Sequence, residues 1–464
     1  MPASTRADRA SIARPLSNLL LSTVLPASLL AAFLSTAPAA LATGPLAGVS
    51  RITGGWNHTC ALTTTAGVKC WGNNVYGQLG DGANAERHLP VPVSGLATGV
   101  IAVDAGDYHA CAVTVGGGVK CWGNGINGQL GYGGFDNAST PVAVSGLADA
   151  ASISAGGSHT CAVTTGGAAK CWGGNVAGEL GNGTQDTAYT PTGVSGLSSG
   201  VAAISAGFGH TCALTTGGGV KCWGDNTYGQ LGNGTTDPST TPVDVSGLAS
   251  GVLAVAAGGN HTCAVLVDGG VQCWGSGAQG QLGNNDNTVR TTPVYASGLF
   301  SGYAAVATGF AHSCALSQAG AVKCWGFNPD GQLGSNDTGT TLVPVNAVDG
   351  LLEPLAGHAS LGVGLRHSCS VSAGGAAYCW GRNLNGQLGD ARSGSNRSFA
   401  RLVLYPYANA VDLDRNGKGD IVWQNADGRV ATWLMNGTVP AATGEILAAG
   451  TGFAVAHLAD FNAD

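Results

Sequence analysis

A histidine, a cysteine two residues on and a second cysteine ten residues after the first recur together seven times along the chain. Cys60 is followed by Cys70, Cys111 by Cys121, Cys161 by Cys171, Cys212 by Cys222, Cys263 by Cys273, Cys314 by Cys324 and Cys369 by Cys379, which uses all 14 cysteines. Two chemistries suit this spacing. Residues two apart on a strand share a face, so His58, Cys60 and Cys70 could converge on zinc. The Cys-x9-Cys spacing, however, lacks the short Cys-x2-Cys chelate usual in structural zinc sites. A hairpin centred near Thr65 sets Cys60 opposite Cys70 and Leu62 opposite Val68, with Cβ atoms about 4.5–5.5 Å apart, close to what a disulfide needs. In an exported protein the reading is seven cross-strand disulfides, one for each of these pairs, with zinc as the alternative. Closing each loop is worth roughly 3 kcal/mol in the chain-entropy model, less any strain.

A second constellation lies near the C-terminus, where Asp412, Asp414, Asn416, Lys418 and Asp420 occupy positions 1, 3, 5, 7 and 9 of a loop with Gly417 at the bend. Calcium takes several hard oxygens, and alternate short acidic side chains around a glycine turn supply them, with the Lys418 backbone carbonyl as one ligand. The alternative is an Asx turn without metal. Asp460, Asn462 and Asp464 begin the same pattern 48 residues later, where the sequence ends. The segment 407–464 therefore reads as a partial, truncated repeat that binds calcium.

Repetition itself argues against catalysis at the first constellation. His58, His109, His159, His210, His261, His312 and His367 are spaced 51, 50, 51, 51, 51 and 55 residues apart, and seven equivalent sites cannot converge on one reaction centre. Bridging neighbouring backbone groups or repeats is the role that fits. Trp71, Trp122, Trp172, Trp223, Trp274, Trp325 and Trp380 read as large apolar plugs between repeats. No nucleophile elbow, phosphate-cradling loop or His-Glu-x-x-His motif is present, so the chain reads as non-enzymatic.

A period near fifty must be settled before any single residue. Each unit holds four short runs of alternating β-branched and small residues between turn signals: the "VxAVxAG" type, "HTCALT", "VKCWG" and "PVxVSGL". The fold class is therefore all-β. Four-stranded units in radial array form a β-propeller, and seven units give seven blades. Every strand type occurs seven times from "GVSRITGG" to "ARLVLYP", so the ring can close. If the fourth strand of each unit joined the next blade, residues 401–405 would pair beside the first blade.

Composition sets the surroundings. Of 464 residues, 78 are glycine, 44% are hydrophobic and 10% are charged, which suits many strands joined by tight turns rather than disorder. Arg6, Arg9 and Arg14 precede the apolar run "LSNLLLSTVLPASLLAAFLS" and the small-residue tract "TAPAALATG", the layout of a secretory leader cleaved after Ala42. The domains thus read as a signal peptide at 1–42, the propeller at 43–406 and the C-terminal repeat at 407–464. Losing the leader removes three Arg and one Asp from 19 basic and 26 acidic residues, taking the net charge from −7 to −9. An acidic chain without basic clusters is a poor partner for nucleic acid. The mature protein is expected to be secreted, monomeric and without a membrane span.

"GHTCALTTGGGVKCWGDNTYGQLG", residues 209–232, resembles the repeat of the regulator of chromosome condensation family. The shared core is Gly-x-x-His-Ser/Thr, Trp-Gly-x-Asn and Gly-Gln-Leu-Gly, and seven hits cover roughly residues 46–406. Glu179 replaces the glutamine once, and Gly277 stands where most copies have Asn. The resemblance implies a seven-bladed propeller. The C-terminal loop resembles the FG-GAP/VCBS calcium-loop repeats of integrin-type propellers. Three functions follow as expectations: a secreted or cell-surface scaffold for a protein or glycan; a secreted inhibitor of an extracellular enzyme; and guanine-nucleotide exchange, by family likeness only. Recognition is expected in the variable segments after Gly-Gln-Leu-Gly, at 81–89, 132–140, 182–190, 233–241, 284–292, 335–343 and 390–398. Tyr132, Phe135 and Tyr189 are the aromatic residues there.

Overall fold

A computed structural model describes residues 43–406 and three further strands, Ile421–Gln424, Val430–Asn436 and Val439–Thr443. The leader at 1–42 and the calcium loop at Asp412, Asp414, Asn416, Lys418 and Asp420 lie outside the described residues. The chain divides into two units, of which residues 42–410 form one. The three C-terminal strands belong to the other and pair as an antiparallel meander.

Seven four-stranded antiparallel sheets make up the first unit. Blade 1 consists of Val49–Gly54, His58–Thr63, Val68–Gly72 and Arg87–Pro92, and each later blade repeats this order. All four strands of a blade are consecutive in the chain. The fourth strand thus stays with its own sheet, and the ends meet by a separate ladder, Thr43–Pro45 against Leu404–Pro406. Leu46 N–H donates to the Val403 carbonyl beside it, and the Lys69 ammonium lies 3.3 Å from the Tyr405 ring centroid.

Fourth strands begin earlier than the sequence implies. Blade 4 illustrates it: the strand is Ser239–Asp244, and the "VSGL" that follows is a turn, closed by Leu248 N–H on the Val245 carbonyl. Glycine has the conformational freedom this turn needs, with Gly247 at φ +76°.

The core is distributed as seven interfaces. Each cluster joins the second and third strands of one blade to the tryptophan of the next, as in Leu62, Val68, Leu79 and Val93 around Trp122. The last cluster joins Val371, Ala377 and Leu388 to Trp71 and so closes the ring. The seven third-strand tryptophans, Trp71 to Trp380, are fully buried. Gly80 shows why the Gly-Gln-Leu-Gly close is glycine: a Cβ there would sit 2.9 Å from the Trp122 ring.

Candidate functional site

The predicted hairpin register is observed: Cys60 faces Cys70 and Leu62 faces Val68. The sulfurs bond in all seven blades. Cys60 joins Cys70, Cys111 joins Cys121, Cys161 joins Cys171 and Cys212 joins Cys222. Likewise Cys263 joins Cys273, Cys314 joins Cys324 and Cys369 joins Cys379. Their Cα atoms are 4.0 to 4.1 Å apart, and no described cysteine is free. A sulfur bonded to its partner has no thiolate to offer a metal. Among the described residues no group of three or more His, Cys, Asp or Glu is arranged to hold one. The zinc alternative therefore fails on the bonding of the sulfurs.

The histidines form a belt of inter-blade staples. His109 Nε2 lies 2.8 Å from the Thr160 hydroxyl of the next blade, and Thr160 donates in turn to the Gln129 carbonyl, 2.9 Å away. Trp172 Nε1–H donates to that same carbonyl. Because the threonine proton is committed to the carbonyl, the histidine must donate from Nε2, and its buried Nδ1, which meets no acceptor, carries no proton. The pattern repeats for His159–Thr211, His210–Thr262, His261–Ser313, His312–Ser368 and His367–Thr59. The last crosses the closure. Burial pushes these rings down to a pKa of about 3 to 4, as expected where the charged form would be desolvated.

One staple is missing. The residue facing His58 is Ala110, so both ring nitrogens of His58 are buried without a partner. Burial alone pushes this ring down to about 4. The staples themselves are structural, and function must be sought elsewhere.

Inside the belt the seven first strands wall a central cavity of about 620 Å³, within the range of ligand sites. One side of its wall is polar. Thr53 donates to Asp104 Oδ1 at 2.7 Å, Ser154 donates to Oδ2 at 3.2 Å, and Ala155 N–H donates to Oδ2 at 2.9 Å. Desolvation raises the Asp104 pKa against these bonds. The equivalent positions in blades 5 to 7 are Ala256, Ala307 and Gly362.

The mouth at the first-to-second-strand turns is lined by Asp107, Phe208, Phe310 and Leu365, with glycines between. Backbone bonds link these turns around the ring, from Trp56 N–H on the Asp107 carbonyl to Leu365 N–H on the Gly55 carbonyl. Phe208 and Phe310 meet edge to face at 6.2 Å, and Trp56 stacks on Tyr108 at 5.2 Å with Tyr76 against its edge. Burial pushes the Asp107 carboxyl up to about 7.

The loops after the third strands share this end of the ring, because each bonds to the neighbouring first turn, as Asn73 N–H does to the Asn57 carbonyl. They add exposed Val75, Ile126, Val176, Tyr228 and Leu384. The variable segments named from sequence continue outward from them, and Phe135 and Tyr189 meet there at 6.5 Å across blades 2 and 3. Sequence reasoning missed the mouth residues. Their signal was the variable pair between glycine and histidine in each Gly-x-x-His, at positions about 51 residues apart that only the ring brings together.

Comparison with known proteins agrees with this architecture. The family model described as the RCC1-like domain matches residues 149–446, and the regulator of chromosome condensation (RCC1) repeat matches 68–113 and 117–163. The ultraviolet-B receptor UVR8 of Arabidopsis thaliana is 30% identical over 354 residues, covering 75% of this chain and 68% of the receptor. The E3 ubiquitin-protein ligase HERC2 of Homo sapiens is 29% identical over 371 residues, 78% of this chain but only 7% of the ligase. The crystal structure of Prp20p from Saccharomyces cerevisiae, described with its binding to Gsp1p and histones, superposes with a TM-score of 0.64 at 22% identity, covering 78% of this chain and 90% of that one. The chain belongs to the regulator of chromosome condensation family, as an RCC1-like seven-bladed propeller scaffold.

Proposed function

We propose that the protein is a non-enzymatic, secreted or cell-surface scaffold that binds a protein partner through the face around the channel mouth. The observation that carries this reading is the gathering of Trp56, Tyr76, Tyr108, Phe208 and Phe310 with exposed Val176 and Tyr228 on one end of a rigid ring. Large aromatic anchors are what protein interfaces use. Seven disulfides favour an oxidising compartment, and the leader at 1–42 supplies the route. N-terminal sequencing of native protein tests this; a mature start at Thr43 supports export, and retention of the leader overturns it.

The inhibitor reading gains from the same observation, since the mouth supplies the aromatic anchors that Tyr132, Phe135 and Tyr189 alone do not. Glycan binding would use the same stacking surfaces. Guanine-nucleotide exchange rests on family likeness, Prp20p being described with Gsp1p. The C-terminal FG-GAP/VCBS-like repeat is proposed to bind calcium at Asp412, Asp414, Asn416, Lys418 and Asp420. Calorimetric titration of the full chain should give a calcium isotherm that Asp412→Ala abolishes; heat unchanged by that substitution rejects the loop.

The face reading is tested with a partner identified from the producing organism's envelope or medium and reconstituted from purified components. Phe208→Ser and Val176→Asp should each weaken the binary complex at least about tenfold, while Val267→Asp at the opposite end should not. Equal binding by all three variants refutes the face.

A further inference from the structure

Asp107 is an anomaly on that face. At the equivalent turn position the other blades place Trp56, Gly157, Phe208, Gly259, Phe310 and Leu365, all uncharged. Its carboxyl makes no side-chain hydrogen bond or ion pair, and burial is the one influence on its proton. Asp107 is half-buried at the mouth, and a partly desolvated carboxylate gains from an opposite charge beside it. Aromatic residues adjoin it: the Trp56 N–H donates to the Asp107 carbonyl, and Tyr108, which follows in sequence and feels the Asp107 charge, stacks on Trp56.

The charges near Asp107 point one way. Asp104 lies three residues inward on the same blade, at most about 10 Å along the strand. Tyr76 and Tyr108 are neutral phenols, and burial with the Asp107 charge raises the Tyr108 pKa further. Among the described residues Arg51 is the one cation lining the cavity, and it forms no ion pair with either carboxylate. His58 and His109, buried in the belt behind, are neutral. A carboxylate that lacks a cation and has aromatic residues on its own and the adjoining turn is complementary to an ammonium or guanidinium group.

Resting on the proposed reading of this face, we infer that the channel mouth takes one lysine or arginine side chain from the tip of a partner protein's loop, with Asp107 as its counter-ion and Trp56 and Tyr108 as its aromatic flank. A free small cation fits the surroundings less well, because the exposed ring of Val75, Ile126, Val176, Tyr228 and Leu384 around the mouth is covered only by something larger. Arg51 also opposes a long polycation threading the channel.

The probe is a display library of disulfide-cyclised peptides selected on the oxidised full chain. Selected peptides should share a central Lys or Arg. Replacing it with Met should weaken binding at least about tenfold, and Asp107→Asn should do the same without lowering the melting temperature. The two losses should not add, because they remove the same contact. Affinity should also rise roughly tenfold from pH 6 to pH 8 as the carboxyl, near pKa 7, ionises. Peptides that lose affinity with Phe208→Ser but not with Asp107→Asn overturn the cation inference and leave the face. Peptides indifferent to both substitutions overturn the face as well.

Discussion

Lowering the pH should unfold this ring with an unusually large uptake of protons. Seven belt histidines are held at about 3 to 4 in the folded state against an ordinary 6.5. A folded value below the unfolded one means that the neutral ring contributes fully above about pH 6.5 and loses its contribution as pH falls toward 3 to 4. At pH 5.5 an unfolded histidine is about nine-tenths protonated, so the unfolded chain holds about six protons at these sites and the folded ring almost none. Three carboxyls work in the opposite direction. Asp107 is pushed up to about 7, and desolvation also raises Asp104 and Glu179, so the folded protein holds at most three protons that the unfolded chain releases.

Net uptake at pH 5.5 is then at least about three protons, and stability falls by at least about 4 kcal/mol per pH unit. Potentiometry of the disulfide-intact protein, unfolded by denaturant at fixed pH, counts the protons without assuming two-state behaviour. Denaturant midpoints between pH 7.5 and 5 give the slope independently. Uptake of fewer than one proton would mean that the belt histidines are hydrated or already charged, and the staple network would be wrong.

The vacancy at Ala110 gives a second test: Ala110→Ser should stabilise by about 1 kcal/mol by supplying the hydroxyl that His58 lacks, while Thr211→Ala should cost about 1–3 kcal/mol. Shifts of denaturant midpoint in the reverse order would refute the assignment. The disulfides predict a denatured, unreduced mass 14 hydrogens below the reduced mass, two for each of seven bonds. Replacing Cys60 and Cys70 together by Ala should lower stability by about 2–4 kcal/mol.

What could be read from the sequence is what the repeat states seven times. Cysteine register, buried tryptophan and the count of blades follow from period and turn chemistry, because each blade solves the same packing problem locally. The staple hydroxyl was present as His-Thr or His-Ser in six copies and His-Ala in one. Its meaning depends on which blade adjoins which, and that is a property of the ring. The mouth was harder still. Phe208 and Phe310 are 102 residues apart and meet only through rotation about the channel axis. Long variable loops drew attention outward to residues 132–140 and 182–190, whereas the aromatic clusters sit on short turns.

Blade 2 is where these strands of reasoning converge. It alone lacks the staple hydroxyl, at Ala110; it alone places a carboxylate on the channel wall, at Asp104, where its neighbours have Thr53 and Ser154; and it alone has an acid at the mouth, Asp107. A local breach of a repeating rule costs free energy, and such breaches collect where function demands them. Here the buried, unpartnered His58 and the desolvated Asp107 lie on consecutive blades, joined by the Trp56–Tyr108 stack. Alanine at 110 and an acid at 107 both work against stability, and that is why the proposed partner contact is placed on this blade.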